Sequence, residues 1–215
     1  LSIEEIYRQF IVGIQGTRWF EYVAVAAGIA SVWYSRKENV LVYPVGLINT
    51  IIFVFISIEG KLLGEASVNI YYTIMSIYGW WLWTKKNDLQ EHVLKISTSN
   101  KVEWAQQLAF FSFFYLALFF SLTYLKNAFF PGAIPWADAF ASASAYTGMW
   151  LMAKKKLENW YWWILTDVAS VPLYFSKGYV FTSFQFFVFT AMAIWGLVEW
   201  QKKLNRERVN NIYTT

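Results

Sequence analysis

Polar side chains set inside apolar runs are where this chain can do chemistry, because in lipid-like surroundings each must be bonded, hydrated or met by a ligand. In residues 69–83, N-I-Y-Y-T-I-M-S-I-Y-G-W-W-L-W, the side chains Asn69, Tyr72, Ser76 and Gly79 recur every three or four positions and so share one helical face. Asn49 lies in G-L-I-N-T and Asp167 in W-I-L-T-D, each near the middle of its own apolar run, and Gln185 is followed on the same helical face by Phe189. Amides and hydroxyls can read the edges of a flat solute, and a carboxylate can meet a cation or a sugar hydroxyl. A nearby ring such as Trp80 or Trp163 would stack on that solute and, for a cation, add about 0.5–2 kcal/mol. A plainer role is open to Asp167 as well: bonded to Thr166 or Ser170, it would hold helices together.

The residue inventory argues against catalysis. There is no Cys, which excludes disulfides, thiolate metal sites and cysteine nucleophiles, and the single His92 falls in a polar loop. An intramembrane enzyme would therefore be left with lone carboxylates. A retinal-type seven-helix sensor needs a Lys inside a span, whereas every Lys here lies in a loop or at a helix end. No Gly-rich loop followed by Lys and Ser or Thr occurs, so direct coupling to ATP is not expected. The reading is a binding and transport protein, with no catalytic residue, no cofactor and no metal.

The elements that must position these residues are membrane helices. Of the 215 residues 57% are hydrophobic and only 15% charged, against about 25% charge in a soluble domain. Apolar runs at roughly 19–34, 40–58, 66–83, 104–125, 136–152, 160–175 and 179–201 give seven spans, several near the lower limit of about 17 residues. Before them, Ile3, Ile6, Tyr7, Phe10, Ile11 and Ile14 face away from Ser2, Glu4, Glu5, Arg8 and Gln9, the pattern of an amphipathic surface helix. A net charge of +4 resides in short clusters between spans, which fits topology better than nucleic-acid binding. Thirteen Lys and Arg fall on one side, among them Arg36, Lys85, Lys154 and Lys202, and five on the other. The positive-inside rule then puts the amino terminus outside and the carboxyl terminus in the cytoplasm.

An internal repeat sets the architecture. Glu21 matches Asp138 and Trp33 matches Trp150; one residue out of step, Tyr43 matches Tyr161, Asn49 matches Asp167 and Gly60 matches Gly178. The original spacing returns with Gly79 and Gly196, Trp83 and Trp200, and the paired lysines that follow each Trp. The predicted fold is therefore all-α, with two parallel three-helix repeats joined by a linker helix, and a site where the halves meet near the midplane. The divisions are an amphipathic helix (1–18), a first bundle (19–84), a cytoplasmic loop with the linker (85–135), a second bundle (136–203) and a cytoplasmic tail (204–215). Asn49 and Asp167 are expected at equal depth, while Trp83, Trp200, Trp104 and Trp160 read as interface anchors. Glu21, Asp138 and Glu65 read as solvated, and Pro44 and Pro172 as bends.

With G-L-I-N at 46–49, I-Y-G-W-W-L-W at 77–83 and E-N-W-Y-W-W at 158–163, the chain resembles the PnuC family of bacterial vitamin transporters over residues 19–200. The resemblance implies a 3+1+3 fold like that of full-length SWEET sugar transporters, in the bacterial inner membrane. It also implies uptake of nicotinamide riboside by facilitated diffusion, with a cytoplasmic kinase trapping the nucleoside without direct contact. Asp167 stands where the family leads one to expect Asn, and it suits the pyridinium of nicotinamide riboside or the thiazolium of thiamine, the alternative substrate. The partners implied are a small vitamin and the bilayer; a homo-oligomer is allowed.

Overall fold

The computed structural model describes residues 2–15, 18–59, 63–87, 93–129 and 132–213. Gly60 and His92, both used in the sequence reading, lie outside the described residues. Those described form eight α-helices: α1 Ile3–Gln15, α2 Trp19–Arg36, α3 Val42–Glu59, α4 Leu63–Thr84, α5 Lys101–Phe129, α6 Pro135–Ala153, α7 Asn159–Ser176 and α8 Val180–Tyr213. By length and composition, three stretches can cross a membrane: Val42–Glu59 in α3, Lys101–Ala128 in α5 and Val180–Glu207 in α8. Helices α2, α4, α6 and α7 are 18 to 22 residues long, about 27–33 Å at 1.5 Å per residue, but more polar.

Local chemistry fixes the helix ends. Ser2 and Glu5 exchange side-chain and backbone hydrogen bonds at the start of α1, and Asn100 and Glu103 do the same for α5. These are capping boxes, each satisfying two backbone donors that the helix cannot. Pro135 opens α6, where its missing N–H is no loss. Pro44 is the third residue of α3, in the first turn rather than mid-helix, so it removes no intrahelical bond and does not bend the helix. Pro172 does lie inside α7. Among the described residues between α4 and α5 the chain is not helical. Instead Ser97 pairs in parallel with Lys156, and its backbone bonds Lys155 and Leu157 in the α6–α7 turn.

The helices pack as a closed ring. Going round it, α2 touches α3, α3 touches α4, α4 touches α6, α6 touches α7, α7 touches α8, and α8 returns to α2. Helix α5 lies outside against α6, while α1 lies against α8 through Phe10, 5.6 Å from Phe181 and 5.9 Å from Phe184. Small residues let α6 sit deep: Ala139, Ala143, Ser144, Ala145 and Gly148 are all buried.

One offset, 117 residues, relates the two halves without the slip the sequence suggested. Ser35 and Met152 stand 117 apart and touch; α3 and α7, Val42–Glu59 and Asn159–Ser176, keep that spacing at both ends, as do the starts of α4 and α8. Tyr43 therefore corresponds to Trp160, not Tyr161: a Cβ on Gly79 would strike the Tyr43 ring, and one on Gly196 would strike the Trp160 ring. Asn49 corresponds to Thr166, and Asp167 to Thr50. In the sequence alone, two identical tyrosines and the polarity of Asn49 and Asp167 favour the neighbouring register.

The tryptophans at the basic end are core residues, not interface anchors. Trp83, Trp160 and Trp200 are 2%, 1% and 0% exposed, while Trp104 keeps 36% exposure. Trp83 and Trp200 lie 6.3 Å apart. Their indole N–H groups donate across the halves, Trp83 to the carbonyls of Met152 (3.3 Å) and Ala153 (3.2 Å), and Trp200 to that of Ser35 (3.0 Å). Each thereby satisfies a helix-end carbonyl of the opposite half.

Candidate functional site

Half-buried rings converge with the buried Tyr146 and Asp167 where α4, α6 and α7 meet. Tyr72 on α4 lies 6.1 Å from Trp163 on α7 and 6.4 Å, edge-on, from Tyr146 on α6. Tyr71 comes within 4.3 Å of the Tyr146 ring and donates its hydroxyl to the Tyr146 carbonyl at 2.9 Å. Trp163 has room because Gly148 faces it: a Cβ there would stand 3.3 Å from the indole. Asp167, one turn beyond Trp163, is 4% exposed and within electrostatic reach of Tyr72. Its carboxylate accepts no hydrogen bond from a described residue; the Thr166 hydroxyl turns back to the Trp162 carbonyl at 2.9 Å.

The remaining expected site residues make contacts outside this cluster. Asn49 donates to the Ala24 carbonyl at 2.7 Å and packs against Gly28, tying α3 to α2. Asn69 donates to the Glu65 carbonyl on its own helix. Ser76 is 2% exposed and packs near Gly46 on α3. Trp80 is 41% exposed with no ring partner among the described residues. Gln185 is half-buried on α8, and Phe189 meets Phe186, which stacks on Tyr174 at 5.1 Å. Tyr72, Trp163 and Asp167 are thus brought together. Tyr71 and Tyr146 join them, neither among the residues the sequence points to; for Tyr146 the available signal is a lone large ring in the small-residue run A-S-A-S-A-Y-T-G.

Two acidic groups read as solvated are paired at the rim opposite the basic end. Asp138 accepts from Lys177 at 2.6 and 2.8 Å, and Glu21 pairs with Arg18 at 2.8 Å. Among the described residues no group of three His, Cys, Asp or Glu side chains could hold a metal ion.

A ring of apolar helices with a buried carboxylate and clustered aromatic rings inside it is the form of a polytopic membrane protein, and its relatives say of which kind. The sequence profile described as "Nicotinamide mononucleotide transporter" matches residues 18–202, and the chain belongs to that family, which also holds the PnuC proteins. Its members are membrane transporters rather than enzymes. The riboflavin/roseoflavin transporter RibM of Streptomyces davaonensis is 24% identical, with 92% of each chain covered. The nicotinamide riboside transporter PnuC of Escherichia coli is also 24% identical, over 93% of this chain and 92% of that one. A crystal structure of the vitamin B3 transporter PnuC superposes with a TM-score of 0.69 at 19% identity, covering 95% of this chain and 90% of the other, and shares its fold.

Proposed function

We propose that the chain takes up nicotinamide riboside by facilitated diffusion, with the nucleoside trapped inside the cell by a kinase that need not touch the transporter. Seven helices, α2 to α8, cross the inner membrane in a 3+1+3 arrangement, with α1 on the outer surface and the basic ends of the helices in the cytoplasm. The parallel halves rock around the site, exposing it to each face in turn. The observation that carries this reading is the Asp167 carboxylate, buried and without a hydrogen-bond donor among the described residues, beside Tyr72 and Trp163. A pyridinium ring stacked on Trp163 would bring its charge to that carboxylate. Ser76, Asn69, Gln185 and Phe189 are assigned to the surrounding walls, and Asn49 and Trp80 to the border of the path.

Thiamine, whose thiazolium is likewise cationic, is the second reading, and the same carboxylate favours it. Riboflavin, the substrate named for the Streptomyces relative, carries no positive charge for Asp167 to meet. Calorimetric titration of the purified protein with all three, followed by uptake into liposomes without an ion gradient, tests the proposal. Nicotinamide riboside should bind most tightly, and Asp167→Asn should weaken it roughly tenfold, or about 1.4 kcal/mol. Equal binding by both proteins, or a preference for riboflavin, would remove Asp167 from the site.

A further inference from the structure

Two equivalent residues, Glu38 in the α2–α3 turn and Lys155 in the α6–α7 turn, have left-handed backbones, with φ of 58° and 50°. That conformation is strained for any residue with a Cβ and is usually left to glycine. Here the side chains give it a purpose. Lys155 donates to Glu38 at 2.8 Å across the 117-residue offset, so the pair links matched positions of the two halves. Lys203 on α8 approaches the other Glu38 oxygen at 3.3 Å and donates to the Lys37 carbonyl at 3.0 Å. The Lys155 ammonium also sits 4.6 Å over the Trp83 ring. Directly beneath lie the Ser35–Met152 contact, 3.2 Å between hydroxyl and sulfur, and the two crossed indole–carbonyl bonds.

From this geometry we infer that the basic end carries a latch, the Glu38–Lys155 ion pair seated over crossed Trp83 and Trp200, which must release each time the ring opens at that end. An opposing strain is built in beside it. The Tyr43 hydroxyl and the Trp160 indole N–H occupy equivalent places in the two halves, are fully buried, and have no hydrogen-bond partner. Closure leaves both polar atoms unsatisfied, and opening admits water to them. The latch and the orphan pair thus act in opposite directions on one equilibrium, as a two-state gate requires. The inference rests on the transport reading for its purpose, but not for its test.

The chain has no cysteine, so a single Met149→Cys, one turn inside the latch and buried, reports opening directly. Membrane-impermeant maleimide is applied to everted and to right-side-out vesicles, with no substrate present. Glu38→Gln, which removes the ion pair but keeps the side-chain shape, should speed labelling from the basic side roughly fivefold. Tyr43→Phe, which deletes the orphan hydroxyl, should slow it below the parent rate. The charge-exchanged pair Glu38→Lys with Lys155→Glu should label more slowly than Glu38→Lys alone. Parent-rate labelling in a folded Glu38→Gln protein, or faster labelling in Tyr43→Phe, would overturn the latch. If labelling responds as described and nicotinamide riboside is not carried, the substrate assignment fails and the latch stands.

Discussion

The ring of Trp160 covers Gly196 so closely that a Cβ there would collide with it, and Trp200, one turn on along α8, meets that ring edge-on at 5.6 Å. Trp160 is 1% exposed. Gly196→Ala should therefore destabilise the protein by about 1–3 kcal/mol, the usual penalty for overpacking a core. A thermal melt in detergent measures the loss, and Gly79→Ala, beneath Tyr43, should match it.

Asn49 donates to the Ala24 carbonyl and so spends an amide proton on joining two helices of one half. Asn49→Ala should cost about 0.5–1.5 kcal/mol of stability. Calorimetric affinity for nicotinamide riboside should stay within about twofold of the parent. A larger loss of affinity than of stability would return Asn49 to the binding surface.

Glu158 is 4% exposed, and its two oxygens accept from the backbone N–H and the hydroxyl of Ser99, at 2.8 and 2.9 Å. Glu158→Gln replaces one acceptor with a donor that faces Ser99. The expected loss is about 1.5–3 kcal/mol, the worth of hydrogen bonds to a charged group. Limited proteolysis should then cut the segment 93–100 faster than in the parent.

How far the sequence could be read differs from residue to residue. The paired Gly, Trp and Lys near the ends of α4 and α8 betray the duplication because like residues serve like contacts in both halves. The register of α3 against α7 misled, since Trp160 replaces Tyr43 as the ring over a glycine and the two share shape rather than identity. Trp83 and Trp200, each followed shortly by lysines, look like interface anchors in one dimension. Only the crossing of the halves reveals that their indoles cap carbonyls inside the core. Asp167 was legible as a lone carboxylate in an apolar run, and Tyr72 from its polar stripe. Tyr146 was not, because its helix carries no periodic polar face.

Helix α5 packs outside the ring against α6, and the Gln107 side chain bridges Trp162 on α7 to Ser99, at 3.1 and 2.7 Å. These bonds fasten the linker to the second half, while Phe114 of α5 reaches Tyr71 of α4 at 6.3 Å. In the rocking motion proposed above, three helices would move on one flank and four on the other, so the two flanks would push aside unequal amounts of lipid. Bilayer thickness and viscosity would then weigh more heavily on the heavier flank, and the pace of such a carrier would be sensitive to the membrane that surrounds it.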